Sequence, residues 1–560
     1  MESSKYFSRS LKGILAYLIP ALILLGLALV PPAPARAGWR SLTGLLPDYT
    51  SLQYVSISPD SQTVVYIADI DQKDQLELYS VPISGERLPD KLNPPLVKGG
   101  NVQYAEISPD GSRVIYLADQ EVDEKRELYS IPIEGGEAVK LNGPLVSGGR
   151  VYFFRFDEER GRVMYVADQD INDVDELYSV PLAGGDWRKI NSPLAAGGNL
   201  NGFAIDPVSD RVVYRAKVNS GALYQLYSVS VTGGSIYTIN QPVSKDVLYF
   251  AITPGSPYVL YVARETGSTK DELFANNLTG SNKLKRNVGL GTGENVIAFK
   301  FSPDGKQVVY NVARNNGVYG DLWRTEPLSG LSQQLTPGAA AGFGAESHEF
   351  FFTPDSRRVI YRYHRAEDEP FILQSVRADG GVLYRVDLLT LEEPYSVSGF
   401  RLSPDSQWVA VQEYDSSANQ YALVSIPVSG GGQVPFGMGY SPQISPDSQR
   451  VVFSRSGSDR ENTDLLSIQI FGGGLRNLSR AESGEYAYNP VFSPDSRWIV
   501  YEVMVGGGSG YELRVSDGEE PLPSTPTATA SEIPAETPTA TATPPSGSQE
   551  IHLYLPFLGK

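Results

Sequence analysis

Hydrophobic and polar positions alternate along a short segment that recurs throughout the chain. The segment ISPDSQTVVYIAD begins at Ile57 and returns as ISPDGSRVIYLAD from Ile107. In ten copies the residue before S-P-D, or before its degenerate equivalent, is apolar, and so is the residue two positions earlier. This period-two alternation predicts a β-strand with one buried face. The ten apolar residues before the turns are Ile57, Ile107, Phe156, Ile205, Ile252, Phe301, Phe352, Leu402, Ile444 and Phe492.

Each copy belongs to a longer unit of four predicted strands. S-P-D-[SG] predicts a type I turn, and the β-branched and aromatic segment after it, such as RVIYLA, predicts a second strand. ELYSIPI supplies a third strand, and a glycine turn leads into a fourth. The turns span 435 residues, a mean period of about 48, which is typical of one propeller blade. The predicted fold is all-β, a β-propeller of about ten four-stranded blades, with two smaller propellers as the alternative.

The two ends of the repeat region complement each other. The last unit ends with YELRVS, from Tyr511 to Ser516, and has no fourth strand of its own. WRSLT, from Trp39 to Thr43, precedes the first turn in the place of a fourth strand. Pairing the two segments would remove two free sheet edges. The sequence therefore predicts that an N-terminal strand closes the ring by completing the last blade.

The SPD[GS]xx[IV] turn followed by a YxxD strand resembles the PD40 (WD40-like) repeat of TolB-like propellers of the secreted bacterial type. The same repeat is found in the propellers of prolyl-peptidase-type enzymes. The resemblance covers roughly Trp39 to Gly518 and implies a propeller outside the cytoplasm. Ten units depart from the six blades usual in the TolB-like family. No G-x-S-x-G motif or further hydrolase-sized segment accompanies the repeats, so the likeness to peptidases stops at the propeller.

Four segments are expected along the chain: a signal peptide (1–37), the propeller (38–518), a Pro/Thr/Ser-rich disordered linker (519–549) and a short apolar C-terminal tail (550–560). Cations precede an apolar run and the small-residue site APARA near the N-terminus, which indicates a cleaved signal. A retained membrane anchor is the alternative. The linker is poor in large apolar residues. The tail predicts surface sorting or retention, or alternatively a strand folded back onto the propeller.

Composition narrows the range of partners. The formal net charge is -18 and the isoelectric point is about 4.8, which argues against nucleic acid and anionic membrane surfaces as partners. The absence of cysteine excludes disulfides and thiolate nucleophiles. We expect a secreted, cell-surface or periplasmic protein that meets a membrane only through its signal or its tail.

Residues of the first strand that alternate with the buried apolar ones point to its other face. The polar residues at these positions are candidate ligand-binding residues. In a propeller this strand lies beside the central channel, where a ligand can be recognised. The candidates are Glu106, Arg155, Lys300, Arg401 and Gln443.

Acidic residues cluster in the loop between the second and third strands of three successive units. The copy DQDINDVDE offers the oxygen ligands that calcium prefers, at D-x-D-x-N spacing. Asp168, Asp170, Asn172 and Asp175 are therefore speculative calcium ligands, although the glycine and terminal glutamate of an EF-hand are missing. A solvated hairpin tip is the alternative, and no other cofactor is expected.

These features favour a binding or scaffold propeller that recognises an envelope or extracellular protein, or a glycan, through its channel mouth and loops. An enzyme is not expected, because no catalytic motif is found. The three histidines, His348, His364 and His552, are too few and too separated for the imidazole cluster of a propeller lyase. A propeller hydrolase or lyase acting on polysaccharide is the alternative.

Overall fold

A computed structural model describes residues 39–517, except 241–242, 316, 337–342, 365–370, 381–384, 390, 392–394, 458–460, 507 and 509. This part of the chain forms forty β-strands and a single 3-10 helix at Glu158–Arg160. Within it, no helix has the length and apolar character needed to cross a bilayer. The predicted signal peptide, linker and tail, including His552, lie outside the described residues.

The strands form ten units of four strands, here called blades 1 to 10 in chain order. A few additional strand pairs join blades 6 and 7, and blades 9 and 10, into two eight-stranded sheets. Consecutive strands within a blade pair antiparallel, the first with the second, the second with the third, and the third with the fourth. Blade 1 contains β2 (Leu52–Ile57), β3 (Thr63–Ala68), β4 (Glu77–Pro82) and β5 (Asp90–Lys91); blade 2, β6 (Val102–Ile107), β7 (Arg113–Ala118), β8 (Glu127–Pro132) and β9 (Val139–Lys140); blade 3, β10 (Val151–Asp157), β11 (Arg162–Ala167), β12 (Glu176–Pro181) and β13 (Arg188–Lys189); blade 4, β14 (Asn199–Ile205), β15 (Arg211–Lys217), β16 (Gln225–Ser230) and β17 (Tyr237–Thr238); blade 5, β18 (Tyr249–Ile252), β19 (Tyr258–Ala263), β20 (Glu272–Asn277) and β21 (Leu284–Lys285).

The second half of the chain continues the same order, and the last blade takes its fourth strand from the N-terminus. Blade 6 contains β22 (Glu294–Phe301), β23 (Val308–Arg314), β24 (Tyr319–Thr325) and β25 (Gln333–Gln334); blade 7, β26 (Gly344–Phe352), β27 (Arg358–His364), β28 (Ile372–Arg377) and β29 (Arg385–Leu389); blade 8, β30 (Tyr395–Leu402), β31 (Trp408–Asp415), β32 (Gln420–Pro427) and β33 (Val434–Met438); blade 9, β34 (Tyr440–Ile444), β35 (Arg450–Ser456), β36 (Thr463–Gln469) and β37 (Arg476–Asn477); blade 10, β38 (Tyr486–Phe492), β39 (Trp498–Val505), β40 (Gly510–Asp517) and β1 (Trp39–Ser41).

The S-P-D turn joins the first two strands of a blade, as the sequence predicts. In blade 1 the Ser61 N–H donates to the Ser58 carbonyl at 2.8 Å, and the Ser58 hydroxyl accepts from the Thr63 N–H at 2.9 Å. Ser61 has a φ of 62°. Left-handed backbone favours glycine. The corresponding fourth turn position is either glycine or serine, also with positive φ, at Gly111, Gly305, Ser356, Ser406, Ser448 and Ser496.

Serine at this position joins two blades. The Asp355 N–H in the blade 7 turn donates to the Ser406 hydroxyl of blade 8 at 2.8 Å. The same bond links blade 6 to 7, 8 to 9 and 9 to 10. It also links blade 10 to blade 1, where the Asp495 N–H donates to Ser61 at 3.1 Å. One turn motif therefore connects five consecutive blade junctions.

Ten hydrophobic clusters lie between the blades. Nine of them join each blade to the next one in the chain. The tenth joins the last blade to the first, with Val500 and Leu513 packed against Val64 and Tyr66. Burial of these side chains is the main favourable contribution to each interface. Ten interfaces among ten blades favour a single ring over two smaller ones.

The N-terminal strand lies where the sequence analysis places it. β1 pairs antiparallel with β40, with Trp39 opposite Ser516 and Ser41 opposite Arg514. The Trp39 ring lies 3.7 Å from the Arg514 guanidinium carbon. Arg514 in turn pairs with Glu485 at 2.8 Å. Blade 10 thus obtains its fourth strand from residues more than four hundred positions away in the chain.

Candidate ligand-binding site

The first strand of each blade lies nearest the axis of the ring. The first strands of neighbouring blades contact one another, as β2 does with both β6 and β38. Blades that meet along their first strands diverge outward, so these strands border the central channel. A ligand in the channel would therefore contact the side chains on the face of these strands that is opposite the buried apolar residues.

All five predicted channel residues lie on first strands, and none of them is buried. Glu106 (β6), Arg155 (β10), Lys300 (β22) and Gln443 (β34) are half-buried, and Arg401 (β30) is exposed. Phenylalanines at the alternating positions on the other face of these strands are fully buried, including Phe154, Phe203 and Phe299. The first strands therefore have the two distinct faces that their alternation predicts.

Glu106 and Arg155 belong to one side of the ring, in blades 2 and 3. The Tyr104 hydroxyl donates to Glu106 Oε2 at 3.4 Å. Arg155 Nη1 donates to the Phe154 carbonyl at 3.0 Å. Burial and Glu106 raise the pKa of Tyr104, whereas Arg155 opposes that shift. The Tyr104 hydroxyl therefore lies near both a negative and a positive side chain. On this side of the channel an acidic and a basic side chain both act on Tyr104.

The other side of the channel is reshaped by a bulge in blade 7. Between the pairs Ala345–Tyr363 and Phe350–Tyr361, four residues of β26 lie opposite a single residue of β27. The equivalent irregularity in β22 adds only one residue. Extra residues in one strand bend it and redirect its side chains. As a result the His348 ring of blade 7 lies 6.3 Å from the Tyr249 ring of blade 5, across the first strand of blade 6.

Lys300 of blade 6 lies beneath this bulge. Its Nζ donates to the His348 carbonyl at 3.0 Å and lies 3.4 Å from the centroid of the Phe351 ring. Burial lowers the pKa of Lys300 to about 8, although Glu349 opposes the shift. Burial and the Lys300 charge also lower the pKa of His348. The ammonium is therefore held by a carbonyl and an aromatic face, and its charge is poorly compensated.

Lys300, Phe351 and Arg401 occupy the same position of the first strand in three successive blades, 6, 7 and 8. We call these three residues the cationic arc. Phe351 is 37% exposed and packs edge-on against Phe400 at 5.5 Å. Arg401 Nη1 donates to the Phe400 carbonyl at 3.1 Å. Among the ion pairs of the described residues, none involves Lys300 or Arg401.

The speculative calcium ligands have other partners. Asp168 accepts from the Arg150 N–H at 2.5 Å and from the Asp173 N–H at 3.1 Å. Asp170 pairs with Lys189 at 2.6 Å, and Asp175 accepts from Asn199 Nδ2 at 3.0 Å. Asn172 donates to Asp173 at 2.9 Å. In the described part of the chain, no group of three or more His, Asp or Glu residues is arranged to hold a metal ion.

The acidic loop tips instead complete a repeated ion-pair cluster. In blades 1 to 3 a lysine on the fourth strand contacts one carboxylate at the loop tip and one buried glutamate on the third strand. In blade 2 Lys140 lies 2.7 Å from Glu121 and 2.9 Å from Glu127. The same arrangement recurs at Lys91 and Lys189. These ion pairs indicate a framework role for the acidic tips, while calcium binding by Asp168, Asp170, Asn172 and Asp175 stays a prediction.

Two further carboxyl groups have pKa values that sequence patterns did not reveal. Glu502 on β39 is 7% exposed, and burial raises its pKa to about 7, although Asn489 opposes the shift. Burial likewise raises the pKa of Asp175, to about 6. These two groups lie in blades 10 and 3. They do not form one acid–base pair.

The alternating pattern predicts Lys300 and Arg401 as channel residues, but it does not identify Phe351, Tyr249 and His348 as their neighbours. Phe351 shares the alternating position of the two cations, so the pattern contained the signal for it. The contact between His348 and Tyr249 depends on the bulge in β26, which alternation alone does not place.

No protein-family model matches the sequence, and no curated protein matches it. Among solved structures, the chain is similar to an oligogalacturonate lyase in complex with manganese (14% identity, 70% of this chain and 94% of that chain, TM-score 0.35). It is also similar to a eukaryotic initiation factor (13% identity, 69% and 88%, TM-score 0.46) and to a prolyl endopeptidase (14% identity, 64% and 55%, TM-score 0.36). The lyase and the endopeptidase contain β-propellers. The fold of this chain, an all-β propeller, follows from its own strand pairing.

Proposed function

We propose that this chain is a binding propeller that recognises a glycan or a protein outside the cytoplasm through the mouth of its channel. The observation that carries the proposal is the exposure of large aromatic side chains on strands that border the channel. Tyr104 on β6 is 41% exposed, Phe351 on β26 is 37% exposed and Tyr395 on β30 is 43% exposed. Exposed aromatic groups near charged side chains are typical of recognition surfaces.

The resemblance of the repeat to the PD40 repeat of TolB-like propellers supports an extracytoplasmic binding role. The PD40-type turn recurs in the described blades, with its serine and aspartate bonded as a turn. A signal peptide and a stalk-like linker would place the propeller in the envelope or at the cell surface. An envelope or extracellular partner, and no nucleic acid, would also suit a net charge of -18.

The proposal can be tested by binding of the full chain to immobilised neutral and acidic polysaccharides and to a solubilised envelope-protein fraction. Replacing Tyr104 and Phe351 together by alanine should reduce saturable binding at least tenfold, because each large aromatic contact is worth on the order of 1 kcal/mol or more. Replacing Arg155 and Arg401 together should also weaken capture. The matched control is Tyr237→Ala, which removes an exposed aromatic side chain from the fourth strand of blade 4.

Unchanged binding by both double variants would contradict recognition through the channel. Shortening of a polysaccharide during the incubation would contradict a purely binding role and favour the alternative, a hydrolase or lyase. We propose binding without catalysis, and therefore expect each polysaccharide to be recovered at its original length.

A further inference from the structure

The cationic arc differs from the other charged clusters of the ring in how its charges are compensated. Seven lysines in the described residues pair with carboxylates, namely Lys91, Lys140, Lys189, Lys245, Lys283, Lys285 and Lys306. Lys300 instead contacts a carbonyl and an aromatic ring. A half-buried cation without an ion pair retains a desolvation cost that an anionic ligand can offset.

The geometry of the arc also limits the shape of its ligand. The Lys300 ammonium covers one face of the Phe351 ring at 3.4 Å, and Phe400 meets that ring nearly at right angles. The Phe351 side chain nevertheless remains 37% exposed. A sugar ring can pack its C–H groups against such an aromatic surface while a carboxylate on the sugar reaches a neighbouring cation.

We propose that the cationic arc, Lys300, Phe351 and Arg401, binds an acidic sugar of a polysaccharide, with its carboxylate directed to the two cations and its ring against Phe351. The inference rests on the proposed binding function and specifies its ligand class. The long-range field of the acidic protein is screened within about 8 Å at physiological ionic strength, so contacts at the arc decide the interaction. Lys300 is the member of the arc whose pKa is lowered by burial.

The pH dependence of binding follows from the groups around Lys300. Glu349 and His348 on β26 are the titratable groups that act on it, and Tyr249 on β18 contacts His348. The pKa of Lys300, about 8, means that the ammonium is mostly present at pH 6.5 and mostly lost at pH 9. If binding requires the ammonium, affinity should fall about tenfold between these pH values, in proportion to the protonated fraction.

The experiment compares a hexamer of β-1,4-linked glucuronate with its neutral glucose counterpart on the full chain at fixed ionic strength. The acidic hexamer should bind at least tenfold more tightly at pH 6.5, with the predicted loss at pH 9. Lys300→Arg should keep the affinity and remove the pH dependence, since arginine stays charged. Lys300→Met should bind weakly at both pH values. Lys306→Met, which removes an exposed cation from the blade 6 turn, is the control and should behave as the wild type.

The outcomes separate this inference from the proposed function. Equal, pH-independent binding of both hexamers would overturn the acidic-sugar inference and leave glycan binding intact. Binding of hexaglutamate but of neither hexamer would overturn the sugar as the source of the carboxylate, while protein recognition through the channel would stand. A pH dependence that persists in Lys300→Arg would also overturn the assignment to Lys300. Binding of Lys300→Arg also shows that this site tolerates substitution without loss of the fold.

Discussion

Serine occupies a left-handed backbone conformation in five turns of this ring, with φ between 62° and 66°. Glycine is found at the same turn position in other blades and adopts this conformation without a steric cost. The serine hydroxyl offsets that cost by accepting a hydrogen bond from the preceding blade, or for Ser61 from blade 10. The choice between S-P-D-S and S-P-D-G is thus tied to a specific contact between blades.

Ser406 tests this explanation. Ser406→Ala should lower the free energy of unfolding by about 1–2 kcal/mol, because the Asp355 N–H loses its acceptor. Ser406→Gly should cost less, because glycine relieves the left-handed backbone. Thermal denaturation followed by circular dichroism measures both. If Ser406→Gly were less stable than Ser406→Ala, the left-handed backbone conformation would not be the cost that the serine hydrogen bond offsets.

Glu502 gives the fold a pH dependence of its own. Its pKa, about 7 in the folded protein, lies above the value of about 4.3 for an exposed glutamate. The folded state therefore binds more protons between these values, and this contribution to stability declines as the pH rises from about 4.5 to 7. Glu502→Gln should stabilise the protein at pH 8, by on the order of 1–3 kcal/mol.

The same variant at pH 5 is the control, since Glu502 is then mostly protonated in the folded protein. Melting temperatures of the wild type and Glu502→Gln should differ much less at pH 5 than at pH 8. A constant difference across this range would show that the substitution acts through packing instead of through ionisation.

At the scale of elements, the short fourth strand matters through its lysine. In β9 only two residues pair with β8, yet Lys140 neutralises Glu127, whose side chain is almost fully buried. Removing one partner of a buried pair leaves an uncompensated charge. The ion pair of this lysine therefore stabilises the outer edge of the blade, in addition to the pairing of the two residues of the fourth strand with the third strand.

Lys140→Met should accordingly destabilise the protein by about 2–3 kcal/mol. Lys306→Met should change stability by less than about 0.5 kcal/mol, because Lys306 is largely exposed, Asp304 is 39% exposed, and the two lie 3.5 Å apart. Urea denaturation of the two variants at pH 7 makes the comparison. Equal losses would contradict the role assigned to the buried glutamate.

The same scale shows where sequence patterns succeed and fail. Turn chemistry and alternation identify the strand order, because both are local properties of S-P-D and of the strand after it. The step from Ser403 to Ser445 is 42 residues, shorter than the others, because Gly439 alone separates β33 from β34. A Cβ at Gly439 would lie 2.5 Å from Phe453 Cδ2. The bulge in β26 is instead set by contacts between blades, which local patterns do not contain.

At the scale of the whole molecule, the predicted N-terminal strand and the ten blades agree with the observed pairing. The candidate site was predicted only in part. Alternation predicts Lys300 and Arg401. The placement of Glu106 and Arg155 around Tyr104 and the pairing of the acidic tips with lysines depend on side chains far apart in the sequence. Closure also distinguishes this ring from an open stack, whose two end sheets would expose unpaired edges.

The most direct test of the ring is a disulfide between β1 and β40. The chain has no cysteine, so Arg40→Cys combined with Val515→Cys, at positions that face each other in the pairing, introduces one possible bond. Paired residues in a sheet lie within reach of a disulfide. The account predicts an intramolecular bond in the monomer under mild oxidation, and none for Arg40→Cys with Tyr511→Cys. Failure of the first pair to cross-link, or cross-linking only between chains, would contradict closure by the N-terminal strand.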